Sequence, residues 1–214
     1  MRRAADSFWS YLDVPLAGRV RLFLLILIVP LLLSFMFPLW RISMEAPQYP
    51  NGLSMDIYSY KLEGGHGGLD IKEINVLNHY IGMHAITRDE LQDLDWLPFG
   101  ILAMALLAMR AALLGNVRTL IDLSMISAYI SAVAFGRFIY MLYEFGFNLD
   151  PKAPVTVEPF MPVIIGSKKI ANFWTHSMPQ LGSVLMGVFT MGVWGLTLWC
   201  LWRGRKEATS PISA

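Results

Sequence analysis

The chain has 214 residues, a formal net charge of +1, 55% hydrophobic residues and 15% charged ones. So apolar a composition lies outside the usual range of a soluble domain, and no basic face large enough for nucleic acid appears along the sequence. The single cysteine, Cys200, excludes an internal disulfide, a zinc knuckle and a multi-cysteine iron–sulfur ligand set.

Residues 1–19 read as a cytoplasmic N-terminal segment. Phe8, Trp9, Tyr11 and Leu12 beside Arg2 and Arg3 suit an aromatic anchor at the inner interface. The apolar run 20–40 is long enough to cross a hydrocarbon core roughly 30 Å thick. Asp6, Asp13 and Pro15 precede it and no small-x-small cleavage site follows Ser34, so an uncleaved transmembrane helix is expected rather than a signal peptide.

Residues 41–96 form a first outer loop, long enough for a small folded lobe. Met44 to Gly52 is turn-rich and extended; Leu53, Met55 and Ile57 then alternate with Ser54, Asp56 and Tyr58, predicting a strand that runs toward Leu62. Gly64-Gly65-His66-Gly67-Gly68 reads as a flexible turn. Asp70 and Glu73 mark a helix N-terminus. A helix from Ile71 to about Ile81, ended by Gly82, would place His79 and Met83 one turn apart on the same face.

Two further spans, 97–114 and 120–143, are joined by an inner turn at 115–119 around Gly115-Asn116, which predicts an antiparallel hairpin. Arg110 and Asp122 near the inner ends either pair or reach the interface, and Arg137 reaches the headgroups or Glu144. The second outer loop, 144–182, holds Pro151, Pro154, Pro159 and Pro162 in an extended stretch. Its remainder, Ile164 to Gly182, is expected to fold onto the membrane or onto the first loop. The last span is 183–202, followed by a tail, 203–214.

Orientation follows from the basic flanks. Arg2, Arg3, Arg19, Arg21, Arg118, Arg203, Arg205 and Lys206 fall on one side of a four-span chain, which the positive-inside rule makes the cytoplasm. The expectation is an all-α integral membrane protein with four transmembrane helices, both termini cytoplasmic, and a small extracytoplasmic lobe formed by the two outer loops.

All four histidines, His66, His79, His84 and His176, fall in the two loops. No span supplies a histidine for a membrane-embedded haem held by paired imidazoles, and no Cys-x-x-Cys-His occurs. Leu77-Asn78-His79-Tyr80-Ile81-Gly82-Met83-His84 sets imidazoles and a thioether close together, ligand types that copper accepts and that calcium or magnesium disfavour. His79 and Met83 are the core candidate metal ligands, with Met44, His84, His176 or Met178 completing the site, and copper is the expected metal. The competing reading is that these side chains only pack the lobe. No Gly-x-Ser-x-Gly, His-Glu-x-x-His, P-loop or dinucleotide fingerprint is present, so no catalytic role is expected.

Met44-Glu45-Ala46-Pro47-Gln48-Tyr49-Pro50-Asn51-Gly52 and Glu73-Ile74-Asn75-Val76-Leu77-Asn78-His79-Tyr80-Ile81-Gly82-Met83 resemble a family of small four-span membrane proteins. That family is associated with bacterial denitrification gene clusters for the copper-dependent nitrous oxide reductase and with related respiratory copper systems. Pro162-Val163-Ile164-Ile165-Gly166-Ser167-Lys168-Lys169-Ile170-Ala171-Asn172-Phe173, then Ser177-Met178-Pro179-Gln180-Leu181-Gly182, is similar to its second signature. The resemblance covers both outer loops and the order of the spans. It implies an accessory protein of the bacterial inner membrane that assists maturation of, or electron supply to, an extracytoplasmic copper enzyme or respiratory subunit; it does not identify ligands. The alternatives are a non-catalytic scaffold anchoring a periplasmic partner and an oligomeric transporter.

Overall fold

The computed structural model describes residues 9–170 and 173–209. The expectations placed on Arg2, Arg3, Asn172 and the end of the tail lie outside them. Helix α1 (Gly18–Leu33) runs into a short 3-10 turn, Ser34–Met36. Three strands follow, β1 (Trp40–Ala46), β2 (Tyr49–Ile57) and β3 (Leu62–Gly64), then a 3-10 turn at His66–Gly68 and helix α2 (Leu69–Tyr80). Helices α3 (Asp93–Leu114) and α4 (Val117–Phe147), strands β4 (Gly166–Ile170) and β5 (Phe173–Pro179), and helix α5 (Leu181–Thr209) complete the order.

Gly18–Met36, Asp93–Leu114, Val117–Phe147 and Leu181–Arg205 are long and apolar enough to cross a membrane. The all-α expectation is not confirmed. Beside these helices lies a five-stranded antiparallel sheet in the order β3-β2-β1-β5-β4. Strands from the first loop pair with strands from the second: Ile42 opposes Met55 on one side and Ser177 on the other. The expected single strand from Leu53 toward Leu62 is instead two, because the chain turns at Tyr58–Lys61, where the Tyr58 N–H donates to the Lys61 carbonyl at 2.9 Å.

The chain divides into two compact units. One holds residues 1–33, 100–131 and 185–214, and its described residues are mainly helical. Within it Gly192 leaves room for Leu27, whose Cδ2 would lie 2.5 Å from a Cβ added there, so the two backbones approach as small residues permit in membrane helices. Asn116 caps α4: its Oδ1 accepts the Thr119 N–H at 3.0 Å, and Thr119 Oγ1 in return accepts the Asn116 N–H at 2.8 Å. Arg110 and Asp122 line one groove of this unit with Thr119.

The other unit, residues 34–99 and 132–184, contains the sheet, α2 and the ends of three long helices. Alternation along β1 buries Trp40, Met44 and Ala46 and exposes Arg41 and Glu45. On α2 the buried positions are Asp70, Ile74, Leu77 and Asn78, a stripe at helical spacing. Ile74, Leu77 and Ile81 pack with Met44, Leu53, Met55 and Phe173 of the sheet in one apolar core. Each such buried side chain contributes roughly 1.5–3 kcal/mol.

The first end of α2 is tied to β2 and the turn before it, and the other end to the second loop, rather than capped by side chains in the usual way. Asp70, expected to cap, lies inside the first turn; its carboxylate accepts the Ser54 N–H at 2.8 Å and contacts His66 Nδ1 at 2.8 Å. Gly82, at φ +79°, ends the helix as expected and turns the chain sharply. Asp150 and Val155 of the second loop then donate to the carbonyls of Gly82 and Tyr80, at 2.8 and 3.0 Å.

Candidate functional site

The sheet face that carries Met44 does not pack solid everywhere. Between that face, the segment after α2 and the adjoining stretches of α3 and α4 lies a partly open cavity of about 150 Å³. Ile42, Met44, Met55 and Thr175 line it from the sheet, and Asn78 and Met83 from α2 and the turn beyond it. Leu94, Trp96 and Leu97 of α3 and Phe138, Met141 and Phe145 of α4 close the remaining sides.

Register explains the sheet wall. Met44 opposes Leu53 and Thr175, and Ile42 opposes Met55, so Met44, Met55 and Thr175 stand on one face, with Met55 diagonal to Met44. Met83 arrives by a different route. Its N–H donates to the Asn78 carbonyl at 2.9 Å, and the following chain is held by Asn75, whose amide pairs with both Ile86 N–H and Ile86 carbonyl at 2.7 and 3.1 Å. Asn75 thereby substitutes for a strand partner and fixes the wall at 83–86.

Two polar side chains in this apolar setting find no hydrogen-bond partner among the described residues. Asn78 is wholly buried with both amide atoms unpaired, and Thr175 is 4% exposed with its hydroxyl unpaired. Asp93, by contrast, is satisfied: Arg137 Nε donates to its Oδ1 at 3.0 Å and Trp96 Nε1 donates to the same oxygen at 2.8 Å. Asp93, rather than Glu144 or the headgroups, is therefore the partner of Arg137.

The structure sorts the candidate ligands into separate places. Met44 and Met83 meet at the cavity. His79 is exposed in the last turn of α2, and because Gly82 turns the chain after it, Met83 does not share its helical face. His84 is exposed, with its ring edge-on to Phe145 at 6.4 Å between centroids. His176 and Met178 oppose Ser43 and Arg41, which puts them on the sheet face away from Met44. There His176 Nδ1 meets Ser167 Oγ at 2.6 Å and its Nε2 lies 3.8 Å from Glu45. Among the described residues no three His, Cys, Asp or Glu side chains gather as a metal group.

No family model, curated protein or solved structure matches this chain. What the site can do is therefore read from its side chains. Met55, Met141, Asn78 and Thr175 also line it, although none is among the six candidate ligands that the sequence offers. The alternation Leu53, Met55, Ile57 is the signal that places Met55 on the inner face; Asn78 betrays itself only by falling in the apolar stripe of α2. For Met141 and Thr175 the sequence carries no such signal.

Two surface features frame the lobe electrostatically. Arg41 forms a two-pronged pair with Asp56 at 2.6 Å on each branch, which holds its guanidinium above its ordinary pKa. Tyr49 donates a short hydrogen bond to Glu73, tying β2 to α2, and that bond raises the phenol above its usual value.

Proposed function

We propose that this chain is a membrane accessory protein whose extracytoplasmic lobe holds Cu(I) on thioether sulfur, in the service of an extracytoplasmic copper enzyme of a bacterial inner membrane. The observation that carries the reading is the convergence of Met44, Met55, Met83 and Met141 on one cavity. Neutral, polarizable thioethers favour cuprous copper over the hard divalent ions. A monovalent ion on neutral sulfur also avoids burying several charges in an apolar site, a cost that grows steeply with charge. In this reading the exposed His84, whose ring lies edge-on to Phe145 of the cavity wall, meets an arriving or leaving ion, whereas His79, His176 and Met178 serve elsewhere on the lobe. Both termini then lie in the cytoplasm, in keeping with the basic flanks. X-ray absorption of the copper-loaded chain tests the reading: a shell of sulfur scatterers supports it, and a shell of nitrogen alone opposes it.

A second reading has its own observation. Trp174 and Met178, both 48% exposed, alternate outward along β5 on the sheet face opposite the cavity. An exposed tryptophan on a rigid strand is a typical anchor for a partner, which fits a scaffold that holds a periplasmic protein at the membrane. A photo-crosslinker at Trp174 that captures a defined partner equally well after Met44→Leu and Met83→Leu supports that role; loss of capture in those variants ties the partner to copper.

A further inference from the structure

Two charges stand in the helical unit, inside otherwise apolar spans. Arg110 is the one charged side chain from Leu97 to Leu114, and Asp122 the one from Thr119 to Gly136. We propose that the groove they share binds the headgroup of a zwitterionic phospholipid, Arg110 taking the phosphate and Asp122 the primary ammonium of a phosphatidylethanolamine. The inference rests on the long helices crossing a membrane and not on the copper reading.

Depth is the first argument. Arg110 precedes Asn116 of the α3–α4 turn by as many residues as Asp122 follows it, so both charges reach the same level of the hairpin. At 1.5 Å per residue that level is about 6 Å before the end of α3 and about 7.5 Å into α4. Arg118 and Asp13, both exposed and paired at 3.2 Å, mark the water side of the same end. The headgroup layer of one leaflet is about 5–8 Å thick, so both groups lie where phosphates and ammonium groups lie.

Pairing is the second. Among the described residues neither Arg110 nor Asp122 forms a hydrogen bond or an ion pair, with the other or with a third group, although both line one groove. An ionised side chain within a span calls for a partner. The long Arg110 stem can carry its charge toward water, but the carboxylate of Asp122, on a single methylene, stays where the helix puts it. A phosphate alone would satisfy Arg110 and repel Asp122. An ethanolamine headgroup brings both opposite charges on one molecule, and its N–H groups donate to a carboxylate as a quaternary choline cannot.

Shape completes the case. The groove has a volume of about 290 Å³, and Leu107, Leu114, Leu123 and Ile126 line it beside the two charges. Leu114 is 83% exposed and Ile126 39% exposed, so the groove opens outward from the helical unit. On helices apolar enough to cross a membrane, an outward apolar side chain meets acyl chains. Charge at one level with carbon around it is the pattern of a phospholipid at its glycerol.

The test is native mass spectrometry of the delipidated full chain in detergent, offered equimolar phosphatidylethanolamine, phosphatidylglycerol and phosphatidylcholine with matched acyl chains, beside Arg110→Gln and Asp122→Asn. One phosphatidylethanolamine per chain should be retained over the other two by roughly fivefold, the scale of one exposed ion pair. Asp122→Asn should remove that preference and leave phosphatidylglycerol bound as well as phosphatidylethanolamine. Arg110→Gln should weaken all three. Without lipid, the Tm of each variant should stay level with the wild type, because neither charge has a partner in the chain. Equal retention of the three lipids, a wild-type preference for phosphatidylglycerol, or a preference untouched by both substitutions overturns the proposal. So does a lipid-free loss of Tm shared by the two variants and no larger in the double variant, which would show Arg110 paired with Asp122. A dimer lost with the same substitutions would place a second copy in the groove and overturn it too. Cu(I) binding enters none of these readouts, so the copper reading and this one stand or fall separately.

Discussion

Met44 and Thr175 face each other across the β1–β5 ladder on the cavity side of the sheet. One step along β5, His176 opposes Ser43 and points to the other face. A period-two strand thus separates ligand types that the sequence sets close together, and it makes the two faces of the lobe independently addressable by mutation. Substitutions at His176 and Met178 should change partner capture and leave the cavity alone.

The wall at Met83 depends on a side chain that carries no sulfur. Asn75→Ala removes both hydrogen bonds to Ile86 and is expected to cost about 1–3 kcal/mol. It should also weaken Cu(I) binding, since Met83 loses its fixed position. Thermal melting and chelator competition on the same preparation read both effects; a stability loss with unchanged affinity would show that Met83 is not a ligand.

Gly82 joins the two outer loops. At φ +79° with an added Cβ only 2.8 Å from the Asp150 carbonyl oxygen, Gly82→Ala combines a left-handed backbone with a backbone clash and should cost about 1–3 kcal/mol. The check is a lowered Tm accompanied by faster proteolysis within 150–162. Gly67→Ala is the control, because its positive φ is not accompanied by any contact within 4 Å, and it should be milder.

Alkaline stability isolates the tie between β2 and α2. Tyr49 holds its proton more tightly in the folded chain, because it donates to Glu73. Its contribution is complete below the unfolded phenol value of about 10 and is lost as pH rises through the higher folded value. Between pH 9 and 11 the wild type should lose Tm more steeply than Tyr49→Phe, which has no phenol to titrate; parallel curves would refute the assignment.

Orientation is open to a labelling experiment. In a Cys200→Ser background, an impermeant maleimide added to intact cells should label Asp89→Cys and spare Asp13→Cys. Labelling of Asp13→Cys alone would invert the proposed topology and with it the compartment of the lobe.

The helices were legible because a membrane span needs about twenty apolar residues in a row, a local property that survives any ignorance of the fold. The sheet was not. Trp40 runs directly on from the first apolar stretch, so β1 reads as the end of a span, and its pairing with β5 joins residues far apart in the chain, such as Trp40 and Pro179. β4 carries Lys168 and Lys169, which suit an edge strand but carry no inward apolar alternation to announce it. At the site, the sulfur of Met44 and Met83 is visible in the sequence, and both side chains line one cavity. The helical spacing that would join His79 to Met83 stops at Gly82.

The measurement that bears most directly on the central claim is a Cu(I) titration of the purified full chain against a chromophoric chelator. It compares the wild type with Met44→Leu/Met83→Leu and with His79→Ala/His176→Ala. Leucine keeps the bulk of methionine, so the fold is disturbed by less than about 1.5 kcal/mol per site. The account predicts tight stoichiometric binding that the methionine pair loses by at least tenfold and the histidine pair retains. Binding that survives loss of both sulfurs, or that disappears with the histidines, would contradict it.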